Sequence, residues 1–213
     1  MIDAILWDND GVLVDTEVLF FEETKATFAD LGLNLTKEIW VAQYLGEGRS
    51  SSDVAEYLGA DPSRIRPMLD KRNERYLHTL QQPLPLLPTI RETIMALSNK
   101  VKMAIVTGCD RNQLYVTHNV SGLLEFFDAV VTSDDCAYTK PHPEPYLTAM
   151  KLLNTTAGNC IAVEDSERGL KSATAAGIAC VIVPNELTRI QAFAGALSVE
   201  RDASGVLKHI RRS

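Results

Sequence analysis

Short apolar segments alternate with helical patterns through most of this chain, and this alternation most narrows the folds that it can adopt. Five segments are strand candidates: residues 3–8, 101–107, 129–133, 160–165 and 178–184. They are largely apolar, as is typical of strands that are covered on both faces of a sheet. Helical patterns separate the last four, which indicates right-handed crossovers. The predicted fold class is therefore α/β, with a doubly wound, Rossmann-like parallel sheet.

Residues 16–82 interrupt this alternation and are called the helical insert below. They contain four helical patterns and no strand pattern, with a break expected near Pro67 because proline lacks a backbone N–H. The chain thus divides into an α/β core, residues 1–15 and 83–213, and an α-helical cap formed by the insert. Because the insert follows the first strand, we expect it over the carboxyl ends of the strands, where open α/β sheets bind ligands.

Three further elements follow from local patterns. Residues 11–14 are predicted to form a small hairpin beside the first strand. Residues 111–127 are predicted to be helical with a break at Gly122, and residues 188–197 to form a last helix.

Composition narrows the function and the location. The net charge of −7 over 213 residues offers no electrostatic footprint for nucleic acid. No apolar stretch approaches the length of a membrane span, and no secretory signal is visible at the N-terminus. The four cysteines lack metal-ligand spacing and are expected to be reduced. We therefore expect a cytoplasmic monomer that binds neither nucleic acid nor membranes.

Polar side chains follow four of the predicted strands, and the carboxyl ends of parallel strands meet at one edge of a sheet. In chain order they are Asp8 and Asp10, Thr107 and Gly108, Lys140, and Glu164 and Asp165. Each has an ordinary explanation by itself, such as a helix cap, a turn residue or a solvated lysine. One shared site explains all of them together.

The charges of these residues indicate what such a site would hold. Asp8, Asp10, Glu164 and Asp165 outnumber Lys140, so a divalent cation would relieve the imbalance. Ligands that are all oxygen atoms favour Mg²⁺, which commonly holds a phosphate. One aspartate of the first pair is then free to attack phosphorus, and its neighbour two residues away faces the same side and can act as acid and base.

These segments together resemble the motifs of the haloacid dehalogenase superfamily of phosphotransferases: "DNDGVLVD", the Thr of "VTG", the Lys of "KPHPEPY", and "EDSERG". The insert resembles the α-helical cap of the β-phosphoglucomutase and phosphatase branch. The resemblance implies that Asp8 is the nucleophile and a Mg²⁺ ligand. It implies that Asp10 is the general acid and base, with its carbonyl on the metal.

The resemblance also implies roles for the other strand-end residues. Thr107 and the Gly108 amide would bind phosphoryl oxygens. Lys140 would bridge the nucleophile and the phosphate, and Asp165 with Glu164 would complete the metal site. Asn9 and Trp7 would point away from the chemistry.

Two positions select a reaction within this family. Asp10 disfavours dehalogenases and phosphonatases, which lack this second aspartate. Phe20 stands where the mutases carry a cap histidine, and a phenyl ring cannot relay a proton. We therefore predict a Mg²⁺-dependent phosphatase that forms an aspartyl-phosphate, with a phosphomutase and a non-catalytic phosphate-binding module as the alternatives.

Two arginines of the insert are candidate substrate-binding residues. Arg49 lies in the glycine-flanked segment "GEGRSSS", and Arg72 aligns with a cap lysine that contacts substrate in the mutases. Their positive charge suits a small phosphorylated sugar or sugar acid. The alternative for each is a solvated position on a helix surface.

Overall fold

The sheet is parallel throughout and contains six strands. The computed structural model describes residues 2–210. The strands are β1 Ala4–Trp7, β2 Lys102–Val106, β3 Ala129–Val131, β4 Cys160–Glu164, β5 Ala179–Ile182 and β6 Ser198–Val199. Their order across the sheet is β3-β2-β1-β4-β5-β6. The predicted doubly wound α/β fold is confirmed, and β6 is an additional strand that is too short for a sequence pattern.

Two apolar layers cover the sheet, one on each face. Ala4 and Leu6 of β1 belong to one buried cluster, whereas Ile5 and Trp7 belong to the other. Successive side chains of a strand point to opposite faces, so β1 is buried on both sides. This burial explains why β1 is apolar at every position.

The helices divide into two groups. Those of the insert are α1 Thr16–Ala29, α2 Lys37–Trp40, α3 Ser51–Tyr57 and α4 Pro62–Leu80, and α2 continues as a π-helical turn, Val41–Gly46. Those that flank the sheet are α5 Ile90–Leu97, α6 Arg111–His118, α7 Glu144–Leu153 and α8 Glu167–Ala175. Among residues 2–210, none of the helices combines the length and the apolar character that crossing a bilayer requires.

The insert has its own apolar cluster and rests on the sheet's carboxyl edge. Phe28 and Trp40 are fully buried in that cluster, which Leu187 of the core joins. Lys171 on α8 donates to the Gly46 carbonyl at 2.7 Å, and Gln191 donates to the Val41 carbonyl at 3.3 Å. These contacts place the insert over the strand ends.

The predicted break at Pro67 is wrong, because α4 runs through this residue. Pro67 is close to the start of the helix and removes one backbone hydrogen bond. Ile65, Met68 and Leu69 around it are buried, so apolar packing holds the helix together across the proline.

The other local predictions also need correction. Residues 11–14 form a compact turn instead of a hairpin, and the helix that starts at Arg111 ends at His118. The segment 188–197 contains a 3₁₀ turn, Thr188–Ile190, where a helix was expected. The Gln191 side chain directly after this turn accepts the Glu167 N–H at the start of α8, and this contact holds the chain out of a helix.

Candidate active site

Three carboxylates converge where β1 and β4 end. The two strands are hydrogen-bonded neighbours with Trp7 opposite Val163, so the residues that follow emerge side by side. Asp8, Glu164 and Asp165 are buried, and each offers an oxygen atom within 4.8 Å of those of the other two. The strand register therefore builds a concentrated negative charge from residues that are far apart in the chain.

Lys140 is the cation of this cluster. Its Nζ donates to Asp8 Oδ1 at 2.8 Å, to Glu164 Oε1 at 2.6 Å and to the Val106 carbonyl at 2.8 Å. Burial alone would lower the pKa of Lys140, but Asp8 and Glu164 outweigh it and raise the pKa above its ordinary value. The ammonium is therefore charged and held in one position.

The acidic charge exceeds what Lys140 can balance. Burial, reinforced by Glu164, raises the pKa of Asp8 to about 8 despite the opposing effect of Lys140. Burial and then Asp8 and Glu164 raise the pKa of Asp165 well above its usual range. Buried oxygen ligands with a surplus of negative charge fit a hard divalent cation, and Asp8, Glu164 and Asp165 can hold one.

Two glycines make room for these carboxylates. Gly11 has φ +84°, and a Cβ there would lie 2.6 Å from Asp165 Oδ2. Asn185 donates to this same oxygen at 2.7 Å and so orients Asp165. At Gly169 a Cβ would lie 1.8 Å from Glu164 Oε2, so a larger residue would displace Glu164.

Asp10 is held by two threonine hydroxyls. Thr107, directly after β2, donates to Asp10 Oδ2 at 2.9 Å, and Thr16 at the start of α1 donates to Oδ1 at 2.5 Å. A hydroxyl can donate or accept, so these partners can hold Asp10 in either protonation state. This suits a group that exchanges a proton.

A cavity of about 270 Å³ lies between the carboxylates and the insert. Its core side includes Asp8, Asp10, Gly108, Lys140 and Glu164, and its insert side includes Glu17, Phe20, Tyr44, Arg49, Arg72 and Tyr76. A space of this size accommodates a small molecule. Most of the predicted catalytic and substrate-binding residues thus meet around one cavity, whereas Thr107 lies behind Asp10 and is not in its lining.

The two candidate arginines differ in their surroundings. Arg72 is 6% exposed, donates to Thr24 Oγ1 at 2.9 Å and to Ser51 Oγ at 3.1 Å, and lies 4.3 Å from the Phe20 ring centre. Its hydrogen-bond partners within residues 2–210 are uncharged. Arg49 is exposed and paired with Glu47 at 2.9 Å.

Four residues of the site lay outside the sequence-based prediction. Glu17 is buried at the cavity, where burial raises its pKa to about 7 against the opposing effect of Arg168. Arg168 lies with its guanidinium 4.5 Å from the Tyr44 ring centre, across the gap between core and insert. Tyr146 donates to Glu164 Oε1, and Asn185 orients Asp165. The first three stand within or directly beside the quoted motifs, which is the signal that could have identified them.

Other residues in and around the motifs are buried in the fold or make local contacts. Trp7 is fully buried in the core and Asn9 is 1% exposed. The Ser166 hydroxyl accepts the Gly169 N–H and caps α8. His142 is half-exposed beside Tyr138. The four cysteines are free, and Cys109 lines the cavity.

Known proteins are similar to this chain in both sequence and fold. A family described as "Haloacid dehalogenase-like hydrolase" matches residues 5–183. The putative phosphatase YhcW of Bacillus subtilis is 29% identical over 192 residues, 88% of this chain and 86% of that protein. Protein SUPPRESSOR OF QUENCHING 1, chloroplastic, of Arabidopsis thaliana is 29% identical over 213 residues, 96% of this chain, which spans 20% of that longer protein.

The CbbY protein from Rhodobacter sphaeroides is similar in structure. Its crystal structure in complex with phosphate has a TM-score of 0.79 and 26% sequence identity, with coverage of 97% of this chain and 96% of that one. A mutant of the same CbbY, solved with xylulose-(1,5)bisphosphate, has a TM-score of 0.79 and 25% identity, with 96% of each chain covered.

Proposed function

Since the chain belongs to the haloacid dehalogenase-like hydrolase family, and is thus an enzyme of that hydrolase class, we propose that it is a Mg²⁺-dependent phosphatase of small phosphomonoesters. The observation that carries this proposal is the ammonium of Lys140 between Asp8 and Glu164 at the cavity, with Asp165 grouped with these two carboxylates. A buried nucleophile, a fixed cation and oxygen ligands for a divalent metal ion are features that phosphoryl transfer uses.

Mg²⁺ is the proposed cofactor. Asp8, Glu164 and Asp165 would hold it with side-chain oxygens, and Asp10 with its backbone carbonyl. Bound Mg²⁺ would neutralise charge on the phosphoryl group and bring the substrate to the carboxylates.

Asp8 acts as the nucleophile in the first half of the proposed reaction. Its carboxylate attacks phosphorus, the bond between phosphorus and the ester oxygen breaks, and Asp10 gives its proton to the departing alcohol. The product is an aspartyl-phosphate on Asp8. In the second half, Asp10 takes a proton from a water molecule, which attacks phosphorus; the bond between phosphorus and Asp8 breaks, and phosphate and the free Asp8 carboxylate result.

Three groups stabilise the negative charge that is transferred. Lys140 already bonds Asp8, so its ammonium remains beside the oxygen that attacks. The Thr107 hydroxyl and the Gly108 amide follow β2 at the same edge and are the proposed donors to phosphoryl oxygens. Protonated Asp10 can donate to Thr107, which frees the hydroxyl proton that Thr107 otherwise gives to Asp10.

The cavity favours a small, hydroxylated substrate such as a sugar phosphate. Arg72 offers a buried positive charge, Glu17 offers a hydrogen-bond acceptor, and Arg49 contributes charge at the exposed rim. Phe20 faces the same cavity and supplies no proton-relaying group. Water is therefore the proposed acceptor, in preference to the second phosphoryl acceptor of a mutase.

Phosphate release from a panel of sugar phosphates, nucleotides and p-nitrophenyl phosphate tests the function. We expect hydrolysis with Mg²⁺, loss with EDTA and recovery when Mg²⁺ is restored. A protein that binds these esters without hydrolysing any of them would be the non-catalytic module. Isomerisation that depends on a sugar bisphosphate would instead indicate a mutase.

Arg72→Gln is expected to raise KM for the best sugar phosphate by about 10- to 100-fold, with a smaller effect on kcat, because a charged hydrogen bond to substrate contributes about 1.5–3 kcal/mol. Arg49→Gln is the matched variant and should raise KM less, since Glu47 and solvent already surround Arg49. Steady-state kinetics decide this, and an unchanged KM in Arg72→Gln for every ester would remove Arg72 from substrate binding.

Three features of the chain remain predictions. The division into a core, residues 1–15 and 83–213, and a cap, residues 16–82, is testable by limited proteolysis. A monomer is expected in analytical ultracentrifugation. Localisation of the tagged protein would test the expected cytoplasmic location.

A further inference from the structure

Asn9 lies between the two aspartates and is the first residue of the turn at residues 9–14. Its backbone carbonyl accepts from the N–H groups of Val12, Leu13 and Val14, with the shortest bond, to Leu13, at 2.8 Å. The Asn9 side chain is 1% exposed and is absent from the cavity lining. The residue between Asp8 and Asp10 is thus buried in the core, behind the lining of the cavity.

His118 anchors the Asn9 side chain. It is the last residue of α6 and is 3% exposed, and its Nε2 lies 2.7 Å from Asn9 Oδ1. Its Nδ1 lies 2.9 Å from Ser121 Oγ. A Ser121 hydroxyl that donates to Nδ1 leaves the proton of a neutral imidazole on Nε2, where it can be donated to Asn9.

The charge state of His118 agrees with this arrangement. Burial lowers the pKa of His118 to about 4, although Asp10 opposes this shift. The ring is therefore neutral near pH 7 and has one N–H to give.

This polar contact costs free energy that an apolar pair at the same positions would avoid. The Asn9 Nδ2 is buried without a hydrogen-bond partner in residues 2–210. Within these residues the Asn9 side chain therefore has one hydrogen bond, between its Oδ1 and His118. A buried, half-satisfied amide is unfavourable. Its position between two reactive carboxylates points to a role in placing them.

We propose that His118 is a positioning residue, which through its hydrogen bond to Asn9 fixes the turn at residues 9–14 and so aims Asp8 and Asp10. The inference rests on the proposed phosphatase function. Displacement of a reacting group by about 1 Å can cost about 100-fold in rate. The bond joins α6 to the turn across 109 positions of the chain.

The kinetic test uses His118→Leu, Asn9→Leu and the double variant. We expect kcat to fall 10- to 100-fold in each single variant with KM within about twofold, because the substrate contacts are intact. The double variant should be no slower than the slower single variant, because each substitution removes the same hydrogen bond between His118 and Asn9. His118→Gln keeps a side-chain N–H donor and should recover at least part of the lost kcat.

Thr93→Val is the control. Thr93 is fully buried on α5 and its hydroxyl has no partner within the described residues, so this variant also replaces a buried polar group with an apolar one. Its kcat should equal that of the wild type. Rates are normalised to the folded fraction from near-ultraviolet circular dichroism. Should His118→Leu not fold, Asn9→Leu, which introduces an apolar residue of similar size, carries the comparison.

Amide hydrogen exchange tests the positioning without any substrate. The Leu13 N–H should exchange at least tenfold faster in His118→Leu than in the wild type, whereas Thr93→Val should leave it unchanged. If the Leu13 N–H exchanges faster in His118→Leu but the wild-type protein hydrolyses no ester, the positioning role of His118 is supported and the proposed phosphatase function is refuted. Unchanged exchange, or folded His118→Leu and Asn9→Leu with wild-type kcat, would overturn the positioning role.

Discussion

Asp8→Asn is expected to lower kcat for every phosphoester by about 10⁴-fold or more. The amide of Asp8→Asn cannot form the proposed acyl phosphate. The other carboxylates of the site extend from different backbone positions and do not take the place of Asp8. Because Asp8 is buried among like charges, as its raised pKa indicates, removal of its charge should leave the protein folded. Phosphate release and a thermal melt of the same sample measure the two effects.

Asp3→Asn is the matched control for this loss. Asp3 precedes β1 at the opposite end of the strand, where its side chain accepts from Thr155 and Asn159. It should retain wild-type kcat. If folded Asp8→Asn kept more than about 1% of the wild-type kcat, a different nucleophile would have to be found.

Lys140→Met is expected to lower kcat/KM by about 10³-fold and the free energy of unfolding by about 3 kcal/mol. The variant leaves Asp8 and Glu164 buried without their shared cation. Removing one partner of a buried ion pair costs more than removing the whole pair, because an uncompensated charge stays behind. Urea unfolding without metal gives the stability, and steady-state kinetics with Mg²⁺ give the activity.

A double variant separates the loss of stability in Lys140→Met from the loss of activity. Lys140→Met combined with Glu164→Gln removes one of the stranded charges, so it should recover part of the stability while activity stays low. Lys102→Met is the control, since the Lys102 ammonium donates to the Leu153 carbonyl away from the carboxylates. Wild-type kinetics in Lys140→Met would contradict the role assigned to the ammonium.

Local patterns predicted most of the sheet because five strands are short apolar runs with turn residues at their ends. The same patterns failed where contacts between separate elements decide the local structure. The expected helix at residues 188–197 stops after one 3₁₀ turn because Gln191 and Ala192 hydrogen-bond with Glu167 of α8, and β6 exists because β5 offers it an edge. The expected break at Pro67 is overridden by apolar packing on either side of the proline.

By itself, the sequence determined the α/β architecture, the place of the insert and the strand ends at which acidic, hydroxyl and basic residues stand. These follow from periodicity and from the rule that parallel strands end at one edge. Only the tertiary structure decided which side chains touch. Distances between Lys140, Asp8 and Glu164, the pairing of Asn185 with Asp165, and the bond from His118 to Asn9 join residues that are 20 or more positions apart. Their contact depends on strand register and helix placement, which a pattern local to the chain does not contain.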